Sequence, residues 1–275
     1  MLRVNQFQTP FPLIPSPLVH CITNSVTCET VANSVLYIGG KPIMTEDTRD
    51  FSDLYEQVGG VLINIGHLSE EKETAMVLAM EEAHKRNVPI VVDNVGVSSS
   101  RIRKEVANRL LSLEPTVVKG NVSEMRTLCS LASHGKGVDA AEEDQDLLAM
   151  KELEEGLLAL AKIHPNTCFL ATGPSDLVVY QSQVVLLQNG IEALDQFTGT
   201  GDVVGALIAT LLGSGVDVLQ SVLQAVSYFN LCGEKALEIV QNDAKIASIR
   251  EETLNQLSLL KQNELWQNDI RGDWL

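Results

Sequence analysis

Short apolar runs alternate with longer helical stretches along much of the chain, and this alternation constrains the fold more than any other feature. Six runs rich in β-branched or other apolar residues are predicted to be buried strands: 18–22, 42–44, 61–64, 90–93, 116–119 and 168–172. Stretches between them are predicted to be helices, namely 70–86, 101–111, 123–131 and 147–163. Strands that alternate with helices form parallel sheets whose faces those helices cover. We therefore predict an α/β fold with a central, mostly parallel sheet and helices on both faces.

The chain changes character after the sixth predicted strand. Residues 177–180 and 184–187 are separated by three polar residues and are predicted to form an antiparallel hairpin. From about residue 201 to 260 the sequence is predicted to be almost wholly helical. We see no linker between separate domains, so we predict one domain over residues 1–275. Within it, residues 1–16 form an N-terminal extension and residues 262–275 a polar, solvated C-terminal tail.

The charge balance excludes several classes of function. The 275 residues include 20 Lys and Arg against 36 Asp and Glu, which is a formal net charge of −16. Phosphate backbones and acidic membrane surfaces repel such a chain, so neither nucleic acid nor a membrane is an expected partner. The five cysteines form no Cys-x-x-Cys pair, which argues against a zinc site and a disulfide framework and favours a reducing cytoplasm.

The segment 197–202, with the sequence FTGTGD, carries the strongest local signal. Gly199 and Gly201, on either side of Thr200, let the backbone approach a ligand closely, and the helix that follows offers free N–H groups, so the pattern predicts an anion hole. Asp202 lies at its rim, where an ionised carboxylate could accept a proton from a substrate hydroxyl. The alternative is that Asp202 is only a helix cap and the glycines form only a turn.

Polar residues end or follow three of the other predicted strands. Asp93 and Lys119 end two of them, Asn121 and Glu124 come shortly after Lys119, and Thr172 ends a third. The carboxyl ends of parallel strands form the ligand-binding edge of such a sheet. Glu124 is therefore a candidate for holding Mg²⁺ through water, Asp93 belongs to the same edge, and Lys119 is a candidate for contacting a phosphate. Glu124 would equally be favourable as an acid in the first turn of a helix.

A third group of candidates follows the N-terminal apolar runs. Asn24 comes after the first run, Met44 ends the second, and Gly66 and His67 follow the third. Amide, thioether and glycine suit a small, largely apolar ligand. His20 and His67 are distant in sequence from other metal-type ligands, so we expect hydrogen-bonding or surface roles for them.

Eight pieces of the chain occur in a distinctive order and spacing: PLVHCITNSV, GGKPIM, LINIGHLS, PIVVDNVGV, PTVVKGNVSE, GVD at 137–139, ATGPSD and FTGTGD. With these pieces the chain resembles the hydroxyethylthiazole kinase family of the ribokinase-like superfamily. The resemblance extends over about residues 17–236 without large gaps.

The resemblance implies an enzyme that phosphorylates the hydroxyl of 4-methyl-5-(2-hydroxyethyl)thiazole in thiamine biosynthesis, with ATP as donor and Mg²⁺ as metal. It also implies a homotrimer with active sites at subunit interfaces. The motifs and the resemblance together give these expected roles: catalysis by Asp202 with Gly199, Thr200 and Gly201; substrate binding by Asn24, Met44, Gly66, His67 and Gly199; ATP binding by Lys119, Asn121 and Thr172; metal binding by Asp93 and Glu124.

The chain departs from the family's usual pattern at several positions. The family commonly has Cys where Asp202 stands, and a carboxylate is already deprotonated where a free thiol mostly is not, so Asp202 is expected to act as general base. Lys119 replaces the usual Arg, which keeps the charge but loses the bidentate fork. Asn94 stands for Pro, His67 for Thr, and residues 191–196 differ from the usual run. These departures leave the phosphate-handling motifs in place and the exact acceptor open.

Three other functions remain open at this point. A dehydratase of hydrated nicotinamide nucleotides, ATP- or ADP-dependent, carries a segment much like residues 199–203, although the HCITN and NIGHLS pieces favour the kinase. A kinase for another small alcohol on the same fold is a nearer variant. A paralogue that binds ligand without turnover is the third, and the departures at Asn94, Lys119 and His67 would support it.

Overall fold

The protein is built around one nine-stranded sheet, seen in a computed structural model that describes residues 7–131 and 147–275. Its strands are β1 (Leu18–Ile22), β2 (Lys41–Ile43), β3 (Val58–Asn64), β4 (Ile90–Asp93), β5 (Val117–Asn121), β6 (Cys168–Thr172), β7 (Asp176–Tyr180), β8 (Gln183–Leu187) and β9 (Gly272–Trp274). Its α-helices are α1 (Cys28–Ile38), α2 (Phe51–Leu54), α3 (Glu70–Lys85), α4 (Arg101–Leu111), α5 (Val122–Leu128), α6 (Leu147–Ile163), α7 (Thr200–Gly213), α8 (Val218–Val240) and α9 (Ile246–Leu259). The GVD piece at 137–139 lies outside the described residues.

The sheet has the order β2-β1-β3-β4-β5-β6-β7-β8-β9. Strands β1 to β6 pair in parallel, whereas β7, β8 and β9 pair antiparallel to their neighbours. The predicted mostly parallel sheet and the predicted hairpin, β7–β8, are therefore confirmed. The predicted strand 116–119 extends to Asn121, and this matters because it brings Asn121 to the end of β5 and the start of α5.

Both faces of the sheet are covered, as the alternation predicted. On β3, Leu62 packs into a cluster with residues of α1, α7, α8 and α9, while its neighbours Val61 and Ile63 pack into a second cluster with residues of α3 to α6. Successive side chains of a strand point to opposite faces, so near-continuous apolar runs are what a sheet buried on both faces requires. Helix α7 lies against β1, β3, β4 and β5, and this contact brings its first turn to the carboxyl ends of these strands.

The helical region after the hairpin is also confirmed. Helices α7, α8 and α9 account for most of residues 200–259, and α8 packs on both of the others. α8 is long, but it carries buried polar side chains such as Ser221 and Gln224. Among the residues that the structure describes, no helix is both long and apolar enough to span a bilayer.

The C-terminal tail is solvated only in part, which corrects the expectation of a solvated tail. Trp266 is fully buried, with its ring centroid 4.9 Å from that of Tyr228 on α8. Phe11, from the N-terminal extension, lies 5.1 Å from Tyr228 and 6.4 Å from Trp266. Downstream, β9 pairs with β8. Trp266 thus anchors the tail although the residues around it are polar. Burying its large ring removes more apolar surface from water than the burial of any other side chain in the tail does.

Candidate active site

The candidate residues meet at the carboxyl edge of the parallel strands. Asn64 ends β3 and pairs in register with Asp93 at the end of β4, which in turn pairs with Lys119 on β5. Asn121, at the end of β5, pairs with Thr172 at the end of β6. The sheet therefore brings together positions more than 100 residues apart, as expected for a ligand-binding edge of this architecture.

The first turn of α7 faces this edge. Gly199 is the N-cap residue, with φ +98°, and a Cβ atom built on it would lie 2.8 Å from Cγ2 of Thr27. Both the backbone conformation and the close contact therefore require glycine. The first bond within the helix runs from Val203 N to Gly199 O, so the preceding N–H groups have no partner within the helix. Thr200 and Gly201 are half-buried and thus reachable by an anion.

Asp202 does not cap its helix. Its carboxylate is 6 % exposed and accepts hydrogen bonds from side chains that follow β1 and end β3. Oδ2 accepts from Asn24 Nδ2 at 2.9 Å and from the Thr27 hydroxyl, and Oδ1 accepts from Asn64 Nδ2 at 2.9 Å. Three neutral donors can hold a carboxylate in one orientation beside the free N–H groups of α7. This geometry favours a chemical role for Asp202 over that of a plain cap.

Lys119 and Asp93 form a buried ion pair below α7. The ammonium lies 2.8 Å from Asp93 Oδ2, and both side chains are at most 2 % exposed. Burial raises the pKa of Asp93, the Lys119 charge counteracts that rise, and the nearby Asp202 adds to it. A Cβ atom on Gly201 would lie 3.4 Å from Lys119 Nζ, so the ammonium also faces the first turn of α7. Its charge thus lies between the Asp93 carboxylate and the first turn of α7.

Glu124 is tied into the loops of the same edge. Asn121 caps α5 through its side chain and Glu124 answers by accepting from Asn121 N at 2.7 Å, which is a capping box. Its other oxygen accepts from Gly96 N at 2.6 Å in the loop after β4. Burial, reinforced by the charge of Asp93, raises the pKa of Glu124 to about 8. The interpretation of Glu124 as an acid in the first turn of a helix is therefore confirmed, and its metal-binding role stays a prediction.

The residues present fit a hydrated Mg²⁺ more readily than a closed metal site. Over residues 7–131 and 147–275, no three His, Cys, Asp or Glu side chains gather closely enough to hold a metal. Asp93 Oδ1, however, is buried without a hydrogen-bond partner in the described structure, which leaves it free for a water or a cation. Mg²⁺ usually keeps several waters and takes only one or two carboxylates, and Asp93 with Glu124 would supply them.

The end of β6 is held by a buried carboxylate. Thr172 donates weakly to Gly120 O at 3.4 Å, and Gly173 N donates to Asp176 Oδ1 at 3.1 Å. The other oxygen of Asp176 accepts from Asn230 Nδ2 of α8 at 2.8 Å. Burial raises the pKa of Asp176 to about 7, although these two hydrogen bonds oppose the rise.

The N-terminal candidates lie at the rim of the same region. Met44 follows β2 and is half-buried, and Gly66 is fixed by its N–H to Asn64 Oδ1 at 2.8 Å. His67 is exposed, 3.4 Å from the Ser25 hydroxyl. His20, by contrast, is fully buried and hydrogen-bonds Tyr55 and Thr45 O, each at 2.9 Å. His67 thus lies at the surface and His20 has a hydrogen-bonding role, which are the two roles that we expected for these histidines.

Two residues of the site had no signal in the sequence. Thr27 contacts both Asp202 and Gly199, yet a threonine before a helix is ordinarily a cap. Arg103, on α4, donates to the carbonyls of Ile65, Gly66 and Val95, which joins the loops after β3 and β4. Asp202 is 175 residues from Thr27, and Ile65 and Gly66 are 38 and 37 residues from Arg103, so only the folded chain reveals these contacts.

Comparisons with known proteins agree with this geometry. Residues 14–263 match the model of the hydroxyethylthiazole kinase family. A hydroxyethylthiazole kinase of Enterococcus faecalis is 49% identical over 97% of this chain and 97% of its own length. Among solved structures, the hydroxyethylthiazole kinase protein of Pyrococcus horikoshii matches with a TM-score of 0.82 and 27% identity over 96% of this chain and 95% of its own. A ribokinase-like superfamily protein of E. faecalis, 13% identical with a TM-score of 0.62, covers 90% of this chain and 87% of its own and shares the fold.

Proposed function

The chain belongs to the hydroxyethylthiazole kinase family, and from that premise we propose that it transfers the γ-phosphoryl group of ATP to the hydroxyl of 4-methyl-5-(2-hydroxyethyl)thiazole. In this reaction a bond forms between the alcohol oxygen and the γ-phosphorus, and the bond from that phosphorus to the β–γ bridging oxygen breaks. The hydroxyl proton leaves to a base, and ADP and the thiazole phosphate are the products. The first turn of α7, with Asp202 beside it, is the observation that carries the proposal.

Asp202 is proposed as the general base. Its buried carboxylate is held by three donors and so can orient the alcohol and take its proton. The free N–H groups of α7 and the Lys119 ammonium face the charge that builds on the transferred phosphoryl group. Positioning and charge stabilisation are the main contributions a protein makes to phosphoryl transfer.

The nucleotide is proposed to lie along the edge formed by β5 and β6, near Lys119, Asn121 and Thr172. Asp93 and Glu124 would hold a hydrated Mg²⁺, which supplies charge neutralisation to the phosphate oxygens when bound. The unpartnered Oδ1 of Asp93, within the described part of the chain, supports this assignment. Gly66 is hydrogen-bonded to Asn64 and His67 lies beside Ser25, the neighbour of Asn24, which supports the proposed acceptor pocket there. Met44 is proposed to contribute to the same pocket.

We also propose the homotrimer with active sites at subunit interfaces. The loop between Asn24 and Thr27, which contacts Asp202, carries Val26 with 78 % of its surface exposed. A single exposed apolar side chain does not by itself indicate an interface, so the proposal rests on the family match. Light scattering on the purified protein tests the trimer. Dependence on ATP, together with five cysteines that are all free thiols, supports a cytoplasmic location.

The test is ADP release from Mg-ATP with and without hydroxyethylthiazole, together with the mass of the product. We expect release that depends on the thiazole and a product heavier by one phosphoryl group. The family match favours this outcome over the dehydratase, the other-alcohol kinase and the non-catalytic paralogue. Release that requires a different alcohol, or a hydrated nicotinamide nucleotide, would overturn the assigned acceptor. Binding of the thiazole without any release would overturn the activity.

A further inference from the structure

Thr27 stands where a threonine normally caps a helix, but its hydroxyl does something else. It is the N-cap residue of α1, yet no side-chain cap hydrogen bond is formed. The side chain is instead 3 % exposed, with its hydroxyl in hydrogen-bonding contact with Asp202 Oδ2. Helix α1 therefore has no side-chain capping hydrogen bond from Thr27. The Thr27 hydroxyl donates instead to the carboxylate of Asp202 on α7.

The hydroxyl proton has one favourable acceptor. Thr27 Oγ1 also lies 3.1 Å from Asn24 Oδ1, but that oxygen already accepts from Val26 N at 3.0 Å and from Thr27 N at 3.1 Å. A bond from a hydroxyl to a carboxylate is roughly twice as strong as one to a neutral amide oxygen. The proton therefore belongs to Asp202 Oδ2, which also accepts from Asn24 Nδ2.

The two oxygens of Asp202 are consequently unequal. Oδ2 receives two donors from the loop after β1, whereas Oδ1 receives one, Asn64 Nδ2. The same amide nitrogen donates its second hydrogen to Asp93 Oδ2 at 3.2 Å, so Asn64 supplies only one hydrogen to Oδ1. Among the described residues, Oδ1 thus has the greater capacity to accept a further proton donor, such as an alcohol.

Thr27 also contacts the anion hole. Its γ-methyl group lies only 2.8 Å from the point that a Cβ atom on Gly199 would occupy. One side chain thus contacts both the carboxylate and the glycine that begins α7. From these contacts we infer that Thr27 is a positioning residue: its hydroxyl fixes Oδ2 of Asp202 so that Oδ1 takes the substrate proton. This inference rests on the proposed function, in which Asp202 is the base.

Two substitutions separate the hydroxyl from the methyl group. Thr27→Val keeps the shape and a methyl group but removes the donor, whereas Thr27→Ser keeps the donor and removes the methyl group. We expect Thr27→Val to lower kcat about 10-fold or more, the scale of a hydrogen bond to a charged group, with KM for ATP within about 2-fold. Thr27→Ser should restore most of that loss. The matched control is Thr30→Val, which removes a hydroxyl that contacts Arg250, and it should leave kcat unchanged.

A double-mutant cycle with Asp202→Asn gives the decisive readout. If Thr27 acts through Asp202, Thr27→Val should change the residual rate of Asp202→Asn by less than about 2-fold. Two losses that multiply in full would overturn the inference, as would a Thr27→Ser variant as slow as Thr27→Val. If the wild type is active, Asp202→Asn is slow and Thr27→Val has the wild-type kcat, then the inference about Thr27 fails while the proposed function stands. An Asp202→Asn variant with full kcat would remove the base and, with it, the role of Thr27.

Discussion

The buried carboxyl of Asp176 makes the stability of the protein depend on pH in a way that one substitution should abolish. Burial raises its pKa from the ordinary 3.8 to about 7, so the folded state binds a proton that the unfolded state has already lost. The contribution of Asp176 to the free energy of unfolding is therefore fully present below about pH 4 and is lost as the pH rises through about 7. The difference corresponds to about 4 kcal/mol, at about 1.4 kcal/mol per pH unit.

Asp176→Asn removes the titration while keeping the size and polarity of the side chain. Any hydrogen bond that the amide forms differently, to Gly173 or Asn230, changes the free energy of unfolding by the same amount at every pH. Glu124, whose pKa is also raised, contributes equally to both proteins and cancels in their difference. From about pH 5 to about pH 8, we therefore expect the wild type to lose about 3 kcal/mol relative to the variant.

Equilibrium urea unfolding at several pH values, followed by far-UV circular dichroism, measures that difference. Asp243→Asn is the matched control, because Asp243 is an exposed carboxyl, and its curve should run parallel to the wild type. Parallel curves for Asp176→Asn and the wild type would refute the reasoning. If the wild type instead gained stability relative to Asp176→Asn as the pH rises, the reasoning would be refuted more strongly, because that result requires a lowered pKa for Asp176.

Three further predictions concern the site and the tail. Asp202→Asn should keep the fold and lower kcat at least ~10²-fold, with a smaller loss for Asp202→Cys; an active Asp202→Asn enzyme would remove the base assignment. Lys119→Met should cost about 3–5 kcal/mol of unfolding free energy because it leaves the Asp93 charge buried and unpaired. The double variant Lys119→Met/Asp93→Asn should recover most of that unfolding free energy but not the activity. A double variant whose loss of unfolding free energy equals the sum of the two single losses would contradict the pairing. Trp266→Ala should cost about 3–5 kcal/mol in thermal unfolding, against a smaller cost for the half-buried Trp274→Ala; equal costs would argue against the aromatic anchor.

The positions of the strands that form the site could be predicted because each strand is indicated by a short, continuous run of sequence. β4 was expected at the residues where it is found, since an apolar run ending in Asp93 is enough to define a buried strand with a polar end. Parallel pairing then brings Asp93 and Lys119 to one edge without further information. The expected phosphate contact of Lys119 stays a prediction, and the structure adds that Asp93 shares its charge.

The partners of the side chains could not be predicted, because they depend on contacts between distant segments. Asp202 accepts from Asn24 and Asn64, which lie 178 and 138 residues away, and no local pattern encodes such pairs. The burial of Trp266 was missed for a related reason. The composition of the tail is polar, and the contacts that bury Trp266 come from Phe11 and Tyr228, which are distant in sequence.

The aromatic contact between Phe11 and Trp266 has a consequence for how the molecule is made. A growing polypeptide can complete every parallel strand while one side of the Tyr228 ring is still exposed, because Trp266, which covers that side, comes 38 positions later. The apolar surface beside Tyr228 can therefore be covered only after synthesis has passed the whole site. A chain that stops before residue 266 would carry all the polar groups of the edge and an open apolar cleft behind them, and such a cleft favours aggregation.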